Sequence, residues 1–244
     1  MRNIKMTVAY EGTAYAGFQR QVNAISIQSV LEDCLHRLLG EKTTLVGAGR
    51  TDAGVHALGQ VVNFRTGARI PAARFVPAMN SLLPRDIAVL DAAEVGPEFH
   101  ARLSARSKTY AYRIWRPAVR PVFERDRAYH FPRRLNMTAL EAATGLLVGK
   151  KDFAAFRAAG SKIGSTIRTV LQAGWEERGE ILTFTVTADG FLYHMVRNMV
   201  GTLLQVGLEK QRPEWIEELL RRGDRALAGP TVPPGGLFLI RVEY

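Results

Sequence analysis

Residues 47–60 read Gly-Ala-Gly-Arg-Thr-Asp-Ala-Gly-Val-His-Ala-Leu-Gly-Gln and concentrate the groups that could do chemistry. Four glycines bracket Arg50, Thr51, Asp52 and His56. Glycine at this density lets the backbone take φ > 0 and lets a ligand come close. A carboxylate two residues from a guanidinium, on a loop between strands, suits a charged task, because functional groups collect on loops held by a scaffold. The plainer reading is a surface Arg–Asp pair. Other chemistries fail on spacing. The position three after Gly49 is Asp52 and no helical pattern follows, so this is not a dinucleotide fingerprint, and Gly-Lys-Ser/Thr is missing, so it is not a P-loop. The five histidines show no metal-ligand spacing and the single cysteine, Cys34, forms no Cys-x-x-Cys, so neither a metal site nor a disulfide is expected. No Gly-x-Ser-x-Gly elbow occurs. The reactive group left is a lone carboxylate, which restricts Asp52 to a nucleophilic or general-base role.

Four other stretches carry polar or aromatic groups in unusual settings. Residues 10–21 combine Tyr10, Tyr15 and Phe18 with two glycines and Arg20. Residues 99–110 interleave Arg102, Arg106 and Lys108 with Phe99 and Tyr110, a mixture suited to single-stranded or splayed RNA through stacking and phosphate contacts. Residues 190–201 place Arg197 on a mostly apolar helix, where an arginine is costly unless paired or snorkelling to the surface. Residues 228–237 are rich in proline and glycine.

These groups need elements to position them. The chain has 244 residues, 47% of them hydrophobic and 23% charged, as in a soluble globular protein of one or two domains. Its net charge of +10 points to an anionic partner, nucleic acid first. The excess is local: residues 102–134 hold ten Lys+Arg against Glu124 and Asp126. The first five residues form no apolar signal core and no run approaches the length of a membrane span, so a cytoplasmic protein without membrane attachment is expected. Hydrophobic periodicity gives strands over 4–10, 43–46, 61–64 and 87–95 and helices over 27–39 and 71–83. The second half repeats the order: a strand over 107–116, a basic connector to 134, a helix to 147, a hairpin over 166–176 and 181–187, a helix over 192–206, a short extra helix from Pro213 to Arg222 and a last strand over 237–243. Two β-α-β-β-α-β patterns predict an α+β protein of two ferredoxin-like halves, residues 1–103 and 104–244. Mixed or antiparallel sheets would carry helices on their outer faces, leaving a central cleft.

In order along the chain, these five stretches resemble the bacterial TruA-type tRNA pseudouridine synthases, most specifically at Gly-Ala-Gly-Arg-Thr-Asp-Ala-Gly-Val-His. One departure is Lys151, where the family usually has histidine before Asp-Phe. The resemblance implies conversion of uridine to pseudouridine on the 3′ side of the anticodon stem-loop of tRNA, by a homodimer, without metal or cofactor. It makes Asp52 the catalytic aspartate, Tyr110 the aromatic that stacks on the target uracil, Arg197 the ionic partner of Asp52, and Arg50 an aid to extruding the base. Arg20, Arg102, Arg106 and Lys108 are then candidate RNA contacts. The competing expectation is an RNA-binding module without catalysis, which would keep the basic patch but have no use for Asp52.

Overall fold

The computed structural model describes residues 1–158, 160 and 164–244, which contain ten strands and five α-helices in an α+β arrangement. Two compact units divide the chain, one of residues 1–106 and 238–244, the other of residues 107–237.

The first unit is built on β1 (Arg2–Tyr10), whose alternating Ile4, Met6 and Val8 are buried, as a half-covered strand requires. Helix α1 (Ile27–Leu39) follows. It opens on a capping box in which the Ser26 hydroxyl accepts from Ser29 N and the Ser29 hydroxyl accepts from Ser26 N, and it closes on Gly40 at φ 71°. Next come β2 (Val46–Gly47), β3 (His56–Thr66), α2 (Phe75–Asn80) and β4 (Ile87–Val95). The order β4-β1-β3-β2 is ferredoxin-like, with β1 antiparallel to both β3 and β4. The sequence reading assigned the last strand to the second half. Here β10 (Leu237–Glu243) runs parallel to β3 at Phe238↔His56 and Leu239↔Ala57, so its residues 238–244 group with the first unit.

Two expectations change in this unit. The stretch expected as a loop through Gln60 is already strand from His56, because His56 and Ala57 find partners in β1 and β10. The helix expected over 71–83 is a 3-10 turn at Ala72–Arg74 and then only Phe75–Asn80. It stops where the Asn80 side chain bonds both backbone groups of Val89, drawing the chain towards β4.

In the second unit β5 (Ser107–Trp115), α3 (Met137–Gly145), β8 (Ile167–Arg178), β9 (Ile181–Ala188) and α4 (Met195–Gly207) repeat the βαββα order, with sheet order β5-β9-β8-β7. Short strands absent from the sequence reading are β6 (Tyr129–His130), parallel to β5 inside the basic connector, and β7 (Gly149–Asp152), antiparallel to β8. Lys151 lies in β7 opposite Arg168. Helix α4 starts at Met195 rather than Leu192 because His194 sits in the left-handed region, at φ 59°. Helix α5 (Trp215–Arg222) ends on Gly223 at φ 67°.

Candidate active site

Asp52 lies half-buried in the connection between β2 and β3, and several residues around it are held by hydrogen bonds and packing. Ala48 is fully buried in a cluster with Val61 and Ala101, backed by Phe99 and Tyr244. The Ala48 N–H donates to Val61 O, and the Gln60 amide donates to Gly49 O. Thr51 is buried, shares a 2.8 Å hydroxyl hydrogen bond with Tyr10, and accepts at its carbonyl from the Phe18 N–H. Val55 N donates back to Asp52 O, closing the turn. Burial pushes the Tyr10 phenol up to about 12, against the lowering effect of its bonds with Thr51 and Gln60, so it stays a neutral partner.

The aromatic stretch 10–21 is the second layer of this loop. A Cβ at Gly17, where φ is 91°, would stand 2.6 Å from Thr51 O and 3.0 Å from Asp52 C. One at Gly12 would meet Val55 O, and one at Gly47 would enter the Phe18 ring. These glycines therefore serve close backbone approach between two loops. Gly12 N donates to His56 Nδ1, so that nitrogen is unprotonated, and the His56 ring stacks on Phe238 at 4.6 Å.

Below the loop runs a polar relay, exposed at Arg50 and Gln19 and buried at Gln28 and Glu32, that the sequence reading missed. Arg50 Nε donates to Gln19 Oε1, Gln19 Nε2 to Gln28 Oε1, and Gln28 Nε2 to Glu32 Oε1. Glu32 also accepts from Leu45 N and pairs with Arg20 at 2.9 Å. Arg20 and Arg50, expected as separate RNA contacts, are thus held by one network, with both guanidinium groups largely exposed. The available signal was Gln28 and Glu32 at i and i+4. They occupy buried positions on α1, whereas the apolar Val30, Leu38 and Leu39 are only half-buried. Cys34 is buried and its thiol pKa is raised by desolvation, in keeping with an inert core thiol.

The remaining candidates divide between the units. Tyr110 is in β5 of the second unit, opposite Val186 on β9, largely buried and edge-on to Phe191 at 4.9 Å. Arg197 is half-buried on α4, with its Nε donating to Val232 O at 2.9 Å. The tract 228–237 is held against α4, since a Cβ at Gly201 would collide with Pro230 O and one at Gly229 with Gly201 O. Tyr112 donates to Pro233 O; burial raises its pKa strongly and the nearby Arg197 charge lowers it. Arg102 and Arg106 are exposed in the first unit, and Lys108 is half-buried in β5. Among the described residues no group of three or more His, Cys, Asp or Glu could hold a metal ion, and no helix is long and apolar enough to cross a membrane. A carboxylate fixed on an immobile turn beside an exposed guanidinium can act as nucleophile or base on a ligand delivered to the loop.

The family described as tRNA pseudouridine synthase matches residues 6–103 and 143–244, a range that includes Asp52 and Arg197 but not Tyr110. The tRNA pseudouridine synthase A of Moorella thermoacetica is 49% identical over 99% of both chains. Those of Caldicellulosiruptor bescii and Caldicellulosiruptor saccharolyticus are 44% and 42% identical over 100% of both chains. A solved Cbf5-Nop10-Gar1 complex aligns with 82% of this chain and 44% of that one, at 13% identity and a TM-score of 0.37. Matches of this extent to the family and to full-length relatives mean that the chain belongs to the tRNA pseudouridine synthase family.

Proposed function

We propose that this chain isomerises uridine to pseudouridine in tRNA, with Asp52 as the catalytic carboxylate. Family membership supports the reaction, and the observation that carries the assignment of Asp52 is the packing of its loop. Backbone hydrogen bonds, a buried hydroxyl pair and glycine contacts fix residues 47–55, so the carboxylate is presented without reorganisation when a base arrives. The reaction breaks the bond from ribose to the uracil nitrogen, turns the base and joins the same ribose carbon to a ring carbon. Atoms and oxidation state balance within the nucleoside. Attack on the base, attack on the sugar and removal of a sugar proton all require an ionised carboxylate.

In this reading Tyr110 stacks on the extruded uracil and Arg50 helps it leave the helix. The position of Arg50 is supported by its bond to Gln19 and its exposed guanidinium. Arg20, Arg102, Arg106 and Lys108 contact phosphates, which fix register without reading sequence. The substrate region is the 3′ side of the anticodon stem-loop, the enzyme acts as a homodimer, and it works in the cytoplasm.

The test is tritium release from tRNA labelled at the uracil carbon that becomes glycosidic. Asp52→Asn abolishes release while folding and tRNA affinity stay close to wild type. Release at the wild-type rate by this variant would mean a different catalytic group, and no release from the wild-type protein would mean an RNA-binding module without catalysis. Tyr110→Ala loses activity well beyond its loss of affinity, and equal losses would reduce Tyr110 to a binding role.

A further inference from the structure

We propose that a cavity in the second unit, between residues 129–133 and α4, holds an unpaired nucleotide of the RNA substrate other than the target uridine. The inference rests on the reading of RNA as substrate. The cavity has a volume of about 330 Å³, at the lower end of the range for small-molecule sites. One wall carries Tyr129 and Phe131, half-buried rings 5.6 Å apart and tilted by 44°. Aromatic faces of this kind stack on any base. The facing wall is a single stripe of α4 and its end, from Gly201 through Leu204 and Gln205 to Leu208, which follows the i, i+3, i+4, i+7 spacing of one helix face.

The charge of the lining suits a nucleotide. Arg133 and Lys210 are both exposed, and no carboxylate is among the residues lining the cavity. An apolar slot between rings and leucines with two cations beside it matches a base flanked by phosphate. The ring of His130 is already engaged, with Nε2 at 3.0 Å from Pro117 O, so recognition would come from stacking, the Gln205 amide and charge.

The cavity is also tied to the candidate chemistry. Gly201 lets the chain at Pro230 lie on the helix backbone, and this places Pro230 and Val232 in the cavity wall. The Val232 carbonyl accepts from Arg197. Arg197 and Gly201 are four residues apart on α4, about 6 Å along the helix axis. A nucleotide in the cavity would therefore lie close to Arg197 on the same helix.

Photocrosslinking tests the site directly. Full-length tRNA transcripts carrying 4-thiouridine at one position at a time are irradiated with the wild-type protein, and the adducts are mapped by peptide mass. The expected result is an adduct within residues 129–133 or 201–210 from a position other than the target. Arg133→Ala combined with Lys210→Ala raises KM by about tenfold without lowering the thermal midpoint, because both side chains are exposed. Phe131→Ala cuts the crosslink yield by about tenfold. The proposal is overturned if no transcript gives an adduct in either segment, or if the double variant keeps KM within about twofold of wild type. It is also overturned if the double variant changes the sedimentation mass and leaves KM unchanged, since a second copy of the chain would then cover the cavity. Crosslinking requires no turnover. RNA that crosslinks but is never isomerised would therefore refute the proposed function and leave this site standing.

Discussion

Glu32 shows how much of a functional loop can depend on a residue that touches no substrate. Its carboxylate is 6% exposed yet receives Leu45 N, the Gln28 amide and the Arg20 guanidinium. Removing it leaves buried donors without an acceptor, so Glu32→Ala should cost about 3 kcal/mol in denaturant unfolding. Gln19→Leu is the more selective change, because it cuts the exposed end of the relay at Arg50. It should leave the unfolding midpoint near wild type and lower kcat about tenfold, and a double-mutant cycle with Arg50→Ala should be strongly non-additive. Tyr10 sets a pH limit. Its ordinary value is near 10 and burial takes it to about 12. Below the ordinary value the phenol is neutral in both folded and unfolded chains and its stabilisation is complete. Above it the unfolded chain ionises first, so stability declines and is lost by roughly 2–3 kcal/mol as pH passes the folded value. Denaturant titrations between about pH 9 and 12 should show this decline, flattened in Tyr10→Phe. The types of the key residues were legible from sequence at Asp52 and Arg50, because a charged pair among glycines is a local pattern. Gln19, Gln28 and Glu32 were not: only the i, i+4 spacing of Gln28 and Glu32 is local, and their other partners lie 8 to 31 residues away along the chain.

At the scale of elements, the sequence foretold most helices and strands but not their ends. The periodicity of α1 was clear, and Ser26 and Gly40 cap the helix it outlines. The start of β3 and the stop of α2 depend on pairing with distant backbone, at β10 and at Val89, which no local pattern encodes. The delayed start of α4 comes from the left-handed His194, a residue type that gives no warning of that conformation. Close approach of elements was likewise visible only as glycine. Gly201→Ala would drive a methyl group into Pro230 O, so the tract 229–232 must shift and the second unit should lose about 3 kcal/mol or more of stability, measured by thermal unfolding. Because that tract also bonds Arg197, activity should fall further than stability alone would give.

At the scale of the whole molecule, the first unit is assembled from two distant pieces of chain. Residues 238–244 supply Phe238 against His56, the Glu243 carbonyl for Arg106 N and the Tyr244 hydroxyl for Ala101 O. A fragment of residues 1–106 should therefore lack cooperative unfolding by circular dichroism, and adding a peptide of residues 238–244 should restore part of it. Basic charge concentrated in residues 102–134 should make tRNA affinity fall steeply with salt, and a flat dependence would argue against phosphate contacts there. Sequence by itself determined the α+β class and the family, and singled out Asp52 as the candidate carboxylate, since all three readings lie in local spacing: strand and helix periods, one glycine loop, and a few short motifs in order. Tertiary structure alone decided which unit the last strand joins, what holds the Asp52 loop still, and that Arg20 and Arg50 share one buried anchor. Those outcomes depend on contacts between residues far apart in the chain, and on how closely two backbones can pack where a glycine leaves room.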